Sequence, residues 1–94
     1  MIRGFADPET ELIWSGRQSR RLPPDIQAVA LRKLRMLNQA RILSDLRVPP
    51  GNRLEPLRGE RTGQHSIRIN DQWRICFEWR DGGPVGVSIL DYHD

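Results

Sequence analysis

The chain has 94 residues, a net charge of +3 and a single cysteine, Cys76. This length fits one domain over residues 1–94 and leaves no room for a separate cofactor-binding fold. One cysteine excludes an internal disulfide, and two histidines provide no zinc-ligand spacing, so we expect neither a metal nor another cofactor. No segment resembles a signal peptide or approaches the roughly 18 apolar residues of a membrane span, so we expect a cytoplasmic protein without membrane contact.

The positive charge is carried by arginine and is concentrated in the middle of the chain. Fourteen of the fifteen cations are arginines, whose planar guanidinium groups match the geometry of phosphates. Residues 17–74 hold thirteen cations and five acids, whereas residues 75–94 carry a net charge of −3. This distribution indicates an anionic partner for the middle of the chain, although charges spread over helices for solubility give a similar pattern.

The first quarter of the chain predicts one short strand and one helix. Residues 2–5 read as the strand. Asp7 is a favourable N-cap and Pro8 a favourable first helical residue, so a helix is expected from there to about Ser15. Residues 17–22 are polar and basic, which indicates a mobile connector.

A second and longer helix is expected to open at Pro24. Its apolar residues recur at helical spacing: Ile26, Val29, Ala30, Leu34 and Leu37. Residues 39–47 predict a further helical piece. The two prolines, glycine and asparagine at residues 49–52 end it.

Beyond Gly51 the apolar period changes from about 3.6 to 2, which indicates strands. We expect a short extended edge at residues 53–57, a loop at 59–63, and strands at 65–69, 73–79 and 85–91. Because helices precede an antiparallel meander, the sequence predicts an α+β domain with its helices on one face of the sheet.

The alternation of apolar residues also predicts the register of the first hairpin. If the isoleucines and tryptophan share the core face, Ile69 pairs with Trp73 across a three-residue loop. Arg68 then lies opposite Arg74 on the other face, where two like charges repel each other. Such a pair favours either an anion between the arginines or a neighbouring acid, such as Glu55 or Glu78.

Counting outward from the second turn places the chain end beside Arg74. Alternation puts Tyr92 on the Arg74 face, and a frayed terminus would bring His93 to it. An arginine stabilises charge on a phosphoryl group, a histidine moves protons, and a tyrosine stacks on a base. This combination suits phosphodiester chemistry, although a histidine this close to a terminus is more commonly an ordinary tail residue.

Four other residues were considered as site candidates. His65 is expected to be a surface residue of its strand rather than a catalyst. Cys76 lacks a nucleophile motif and is expected to fill space on the Arg74 face. Arg58 precedes the loop at residues 59–63 and Arg61 lies within it, and both would either contact phosphates or be solvated.

Three blocks of sequence resemble a known family. They are residues 50–59 (PGNRLEPLRG), residues 66–77 (SIRINDQWRICF) and residues 91–93 (DYH). Together they closely resemble HigB toxins of the RelE/ParE superfamily, including GraT-like members, which belong to bacterial type II toxin–antitoxin systems. The resemblance implies a compact RelE-like microbial ribonuclease fold, with the N-terminal helices packed on one face of a curved antiparallel sheet.

The resemblance also implies an activity. HigB toxins are mRNA endoribonucleases that cut in the ribosomal A site and arrest translation, through metal-independent attack of a 2′-OH on the adjacent phosphate. By position, Arg74 corresponds to the arginine that contacts the phosphate. Asp91, Tyr92 and His93 correspond to the catalytic tripeptide. Arg58 corresponds to a basic residue that follows the leucine of the family's central strand, and we expect it to bind RNA.

The chain departs from the family at Glu55. Some HigB toxins have a catalytic histidine there. The carboxylate of Glu55 would act as a base, or it would only form an ion pair with Arg58 or Arg74. The RNA-binding surface is expected to include Arg61 and Arg68 as well.

The resemblance implies partners too. They are a HigA-like helix-turn-helix antitoxin, operator DNA bound only through that antitoxin, and a ribosome with mRNA in its A site. Residues 17–21 are a candidate contact for antitoxin or RNA. Two alternatives stay open at this stage, namely a ParE-like, non-enzymatic gyrase inhibitor and an RNA- or protein-binding module that does not cleave.

Overall fold

A computed structural model describes residues 1–92, so His93 and Asp94 lie outside it. Two α-helices, α1 (Pro8–Trp14) and α2 (Pro24–Gln39), precede the strands. The strands are β1 (Glu55–Pro56), β2 (Gln64–Arg68), β3 (Trp73–Arg80) and β4 (Gly83–Asp91). Short 3-10 helices lie at Leu43–Arg47, Pro50–Asn52 and Gly59–Arg61. No helix among residues 1–92 has the length and apolar character needed to cross a membrane.

Helix α1 begins and ends as its sequence predicts. The Asp7 carboxylate accepts a hydrogen bond from the Thr10 backbone N–H at 2.7 Å, and Gly16 follows the helix with a φ of 82°. The Thr10 hydroxyl in turn accepts the N–H of Ile89 at 2.9 Å. The first turn of α1 is therefore capped by Asp7 and is also anchored to β4 through Thr10.

The predicted strand at residues 2–5 is wrong. Phe5 makes one isolated parallel bridge with Val87, and Arg3 donates its N–H to the Pro84 carbonyl at 2.9 Å. The chain turns into α1 at Asp7 before a second bridge forms, so the segment only follows the edge of β4.

The basic connector at residues 17–22 is an ordered turn rather than a mobile linker. The buried Ser19 hydroxyl donates to the Glu9 carboxylate at 2.5 Å. The Gln27 amide donates to the carbonyls of Ser19 and Leu22 at 2.8 and 2.9 Å. These bonds join the segment to both helices, while its arginine side chains stay exposed.

The helical signal at residues 39–47 is divided in two. Helix α2 ends at Gln39, and a 3-10 helix begins at Leu43. Arg41 and Ile42 lie between the two helices, and their backbone N–H groups donate to the Asp45 carboxylate at 2.9 and 3.2 Å. These two bonds lower the pKa of Asp45, because they stabilise its charged form.

A buried polar contact joins α2 to the segment that leads into β1. The Lys33 ammonium donates to the side chain of Asn52, which is fully buried. The Asn52 amide donates to the Leu46 carbonyl at 3.1 Å. Burial lowers the pKa of Lys33, and the nearby charges of Arg32 and Arg68 lower it further.

The sheet has the order β1-β2-β3-β4 with every neighbouring pair antiparallel. Arg68 pairs with Arg74, and the Ile69 N–H donates to the Trp73 carbonyl at 2.9 Å, so the predicted register is confirmed. Helices α1 and α2 cover one face, as the α+β prediction requires. The core between the layers includes Ile26, Ala30, Leu34, Leu37, Ile67, Ile75, Phe77, Val87 and Ile89.

Candidate active site

Arg74 lies on the sheet face that is turned away from the helices, yet its residue is only 8% exposed. Its Nε donates to the Ser66 hydroxyl at 2.7 Å, and its Nη2 donates to the Arg53 carbonyl. The Glu55 carboxylate lies 3.9 Å from Nη2. Among residues 1–92, no group accepts a hydrogen bond from Nη1. The guanidinium is therefore held firmly while one of its nitrogens stays available.

Each of the two facing arginines forms an ion pair with a different acidic side chain. Arg68 pairs with Asp71 in the hairpin loop, and Arg74 pairs with Glu55. Glu78, the other acid considered, pairs instead with Arg80. Neighbouring acids therefore relieve the repulsion predicted between Arg68 and Arg74, and no bound anion is needed for that purpose.

Tyr92 lies over Arg74, as alternation from β4 predicts. Its backbone N–H donates to the Gln72 carbonyl at 2.5 Å, and its ring centroid is 5.6 Å from the Arg74 guanidinium carbon. This is within the usual range of a cation–π contact. The residue is 38% exposed, so its ring also presents an open surface for stacking.

A cleft of about 390 Å³ joins these groups on the open face of the sheet. Glu55 and Pro56 of β1, Arg58 just beyond it, and Tyr92 at the chain end line this cleft. Arg74 contacts both Glu55 and Tyr92. The structure thus brings together four of the predicted site residues: a buried cation, an exposed cation, a carboxylate and an aromatic ring.

Other predicted site residues lie elsewhere. Asp91 pairs with Trp73, so alternation turns it to the face opposite Arg74, and its carboxylate accepts the Gln72 amide at 3.0 Å. Arg61 is exposed and donates to the Gln64 side chain at 3.3 Å. Arg68 is occupied by its ion pair with Asp71. His93 was predicted as a site residue and falls outside the described residues.

Cys76 and His65 differ in how well the sequence predicted them. Cys76 is fully buried, and burial raises the pKa of its thiol, which agrees with a space-filling role. His65 is not a surface residue of its strand. It is half-buried, and its ring stacks on Phe77 at 6.4 Å between centroids. Its Nδ1 is buried and has no hydrogen-bond partner among residues 1–92. Pairing explains this difference, because His65 lies opposite Phe77 on the core face.

Ser66 is the site residue that sequence reasoning missed. It is fully buried and holds Arg74 through its hydroxyl, with its carbonyl 3.5 Å from Nη2. The predicted register contained the signal, because Ser66 shares a face with Arg68 and lies one strand away from Arg74. Among residues 1–92, no group of three or more His, Cys, Asp or Glu side chains is placed to hold a metal ion.

Two helices packed on one face of a small antiparallel sheet are the arrangement expected of a RelE-like toxin. The fold is similar to that of YafQ from Escherichia coli strain BL21(DE3), with a TM-score of 0.57 at 12% identity, covering 97% of this chain and 93% of that chain. Residues 4–93 match the family model for the RelE-like toxin of the type II toxin–antitoxin system HigB. The chain therefore belongs to the HigB-like toxin family, which implies a protein antitoxin as its partner.

Two relatives place it further within this family. The chain is 47% identical over 94 residues to Toxin HigB-1 of Vibrio cholerae, covering 99% of this chain and 98% of that protein. It is 39% identical over 41 residues to Endoribonuclease HigB of Proteus vulgaris, covering 44% of this chain and 45% of that protein. The resemblance inferred from the three sequence blocks is confirmed.

Proposed function

We propose that this chain is a cytoplasmic, ribosome-dependent mRNA endoribonuclease that cuts messages in the A site and so arrests translation. Its family and its similarity to Endoribonuclease HigB of Proteus vulgaris support this proposal. The observation that carries it is the buried Arg74, which is held by Ser66 and Arg53 while Nη1 has no protein acceptor among residues 1–92.

Arg74 is suited to a phosphate whose charge grows during reaction. Its hydrogen bonds fix the guanidinium before substrate arrives, so little reorganisation is needed when negative charge develops. A partly buried cation also acts more strongly than one in bulk water. In the proposed complex, Nη1 donates to a non-bridging oxygen of the scissile phosphate.

The proposed reaction needs no metal. The ribose 2′-oxygen attacks the adjacent phosphorus, an O2′–P bond forms and the P–O5′ bond breaks, which leaves a 2′,3′-cyclic phosphate and a 5′-hydroxyl. A base takes the 2′-hydroxyl proton, and an acid supplies a proton to the departing O5′. We assign the base to Glu55, which is half-exposed on the cleft, and the acid to His93 from the sequence match.

The remaining site residues bind the RNA or hold other groups in position. Tyr92 stacks on a base beside the scissile phosphate. Arg58 and Arg61 bind flanking phosphates, and Arg68 gives weaker attraction because it already pairs with Asp71. Asp91 positions the chain end through its hydrogen bond to Gln72.

The proposed partners follow from the same family. A HigA-like helix-turn-helix antitoxin neutralises the chain and carries it to operator DNA, which the toxin does not bind by itself. The exposed arginines of residues 17–21, of which Arg17 lines a groove of about 320 Å³ with α2, are the proposed contact for that antitoxin.

Primer extension on purified ribosomes with a defined codon in the A site tests the function. Wild-type protein should cut within that codon, and an mRNA with 2′-deoxyribose at the attacking position should stay intact. Intact normal mRNA would contradict the nuclease proposal. If gyrase-dependent DNA damage accompanied that result, the ParE-like alternative would replace it.

Glu55→Gln tests the base in the same assay. Loss of a general base lowers the rate by about 100-fold or more, and Glu60→Gln, a matched change in the exposed loop at Gly59–Arg61, should cut like wild type. Both variants should fold normally, because Glu55 is half-exposed and Arg74 keeps its hydrogen bonds to Ser66 and Arg53. Unchanged cutting by Glu55→Gln would show that Glu55 only pairs with Arg74.

A further inference from the structure

A second cavity lies on the other side of strand β1 from the cleft. It measures about 460 Å³, within the roughly 300–1,000 Å³ of typical small-molecule sites. Its apolar walls are Leu43, Leu54 and Pro56, and its polar groups come from Ser44, Arg47 and His65. Nothing in the reaction proposed above uses this cavity.

Pro56 connects the cavity to the cleft, because it lines both of them. In the two-residue edge strand, Glu55 pairs with Ser66 and Pro56 pairs with His65. Successive residues of a strand face opposite sides, so Glu55 faces the cleft and Pro56 faces the cavity. An RNA strand with a phosphate in the cleft therefore reaches the cavity by passing over one very short strand.

The cavity walls have the chemistry of a nucleobase site. The His65 ring is held against Phe77 at an interplanar angle of 25°, and leucine side chains supply further apolar surface. His65 Nδ1 is the one buried side-chain polar atom among residues 1–92 without a hydrogen-bond partner. This atom is shielded from solvent, so a base in the cavity would contact the accessible part of the imidazole ring rather than Nδ1.

The rim of the cavity favours RNA over other occupants. Arg47 and Ser44 are exposed there, as is Ile42 at 59%. The nearby carboxylate of Asp45 is occupied by two backbone N–H groups. The rim therefore offers a cation to a phosphate backbone and an apolar surface to a base.

We propose that this cavity binds the nucleobase of a nucleotide next to the scissile phosphate and so sets a sequence preference for cutting. This inference rests on the proposed nuclease function and adds a specificity site to it. An apolar side chain of the antitoxin is the competing occupant, and the experiment below distinguishes the two.

Ser44→Trp covers the cavity from an exposed position, and Gln39→Trp, at an exposed position of α2 outside the cavity, is its matched control. Primer extension on ribosomes carrying each A-site codon should show about tenfold weaker cutting by Ser44→Trp, the size of one lost base-stacking contact, with a changed nucleotide preference. Gln39→Trp should cut like wild type, and both variants should bind the antitoxin with wild-type affinity. Unchanged cutting, or lost antitoxin affinity with normal cutting, would overturn the proposal.

A binding measurement separates this inference from the nuclease function. Trinucleotides with 2′-deoxyribose at the attacking position are titrated into wild-type protein while the methyl resonances of Leu43 and Leu54 are recorded. Shifts in wild type that are absent in Ser44→Trp support the cavity, even if wild type leaves mRNA uncut and the nuclease proposal fails. Methyl resonances that do not move at saturating trinucleotide would overturn the cavity, even if wild type cuts mRNA.

Discussion

At the scale of single residues, the site depends on how Arg74 is divided among its partners. Ser66 and Arg53 hold Nε and Nη2, Glu55 balances the charge, and Tyr92 lies over the guanidinium. The bonds to Nε and Nη2 orient the guanidinium and leave Nη1 without an acceptor among residues 1–92. A buried arginine used only for stability would be expected to satisfy every nitrogen within the protein.

Tyr92 gives the first prediction at this scale. Its ring is partly exposed above Arg74, so it can hold a base by stacking, for which the hydroxyl is not needed. Tyr92→Ala should lower kcat/KM for A-site cleavage by about tenfold, whereas Tyr92→Phe should stay near wild type. Quantitative primer extension over a time course measures both.

The stability of both Tyr92 variants serves as the control. A surface substitution changes the free energy of unfolding by about 0.5 kcal/mol or less, so urea unfolding should give wild-type midpoints. An equal loss of activity in Tyr92→Phe and Tyr92→Ala would assign the function to the hydroxyl and contradict the stacking role.

The sequence predicted part of this site for a clear physical reason. Strand alternation fixes which side chains share a face, so it correctly placed Tyr92 with Arg74. It could not reveal that Asp71, rather than another strand, supplies the acid for Arg68, because that contact depends on the conformation of the hairpin loop. Nor could it show that His65 stacks on Phe77, since its polar neighbours in the sequence resemble a surface strand.

At the scale of elements, the 3-10 helix at Leu43–Arg47 connects α2 to the strand that carries Glu55. The Asp45 carboxylate accepts hydrogen bonds from two backbone N–H groups that directly precede this helix. The buried contact between Lys33 and Asn52 then fixes the following turn against α2. These contacts determine where β1 lies, and therefore where the carboxylate of Glu55 stands relative to Arg74.

Asp45 gives a pH-dependent prediction for this element. Its pKa is lowered in the folded protein, so the carboxylate contributes stability above its unfolded pKa and loses that contribution as pH falls through the folded value. Asp45→Ala should therefore unfold at lower urea than wild type at neutral pH. The difference should shrink as pH falls through the lowered, folded-state pKa of Asp45, because the wild-type carboxyl then becomes protonated.

Ser44→Ala, an exposed change in the same 3-10 helix, is the control for this pH series. Its small difference from wild type should not vary with pH, because it removes no titrating group. A gap between Asp45→Ala and wild type that persists at low pH would show that the side chain stabilises the turn by contacts other than its charged hydrogen bonds.

The elements also show where local sequence signals stop being sufficient. The caps of α1, the start of α2 and the register of β2 on β3 were all predicted, because each depends on residues close in sequence or on strict alternation. The strand at residues 2–5 and the mobility of residues 17–22 were wrong. Both depend on contacts between distant segments, such as Arg3 with Pro84, that local patterns do not contain.

At the scale of the whole molecule, the positive charge indicated an anionic partner, but the individual arginines differ in their environments and contacts. Among the arginines of the described chain, Arg74 is buried in the site, while Arg68 and Arg80 pair with acids. Arg58 lines the cleft, whereas Arg35 is exposed on α2, outside the cleft. The net charge therefore overstates the number of groups that would contact an RNA phosphate in the proposed complex.

The salt dependence of RNA binding measures that number. Each phosphate contact to a single strand contributes about 0.7 to the slope of log K against log salt, because binding releases counterions. With an RNA oligomer carrying 2′-deoxyribose at the attacking position, Arg58→Ala should reduce the slope by about 0.7 and Arg35→Ala should leave it unchanged. Equal reductions by the two variants would mean that the protein attracts RNA through its overall charge, with no particular contact at Arg58. A reduction confined to Arg58→Ala would place an RNA phosphate at the rim of the cleft that holds Glu55 and Tyr92, since Arg58 lines that cleft and Arg35 does not.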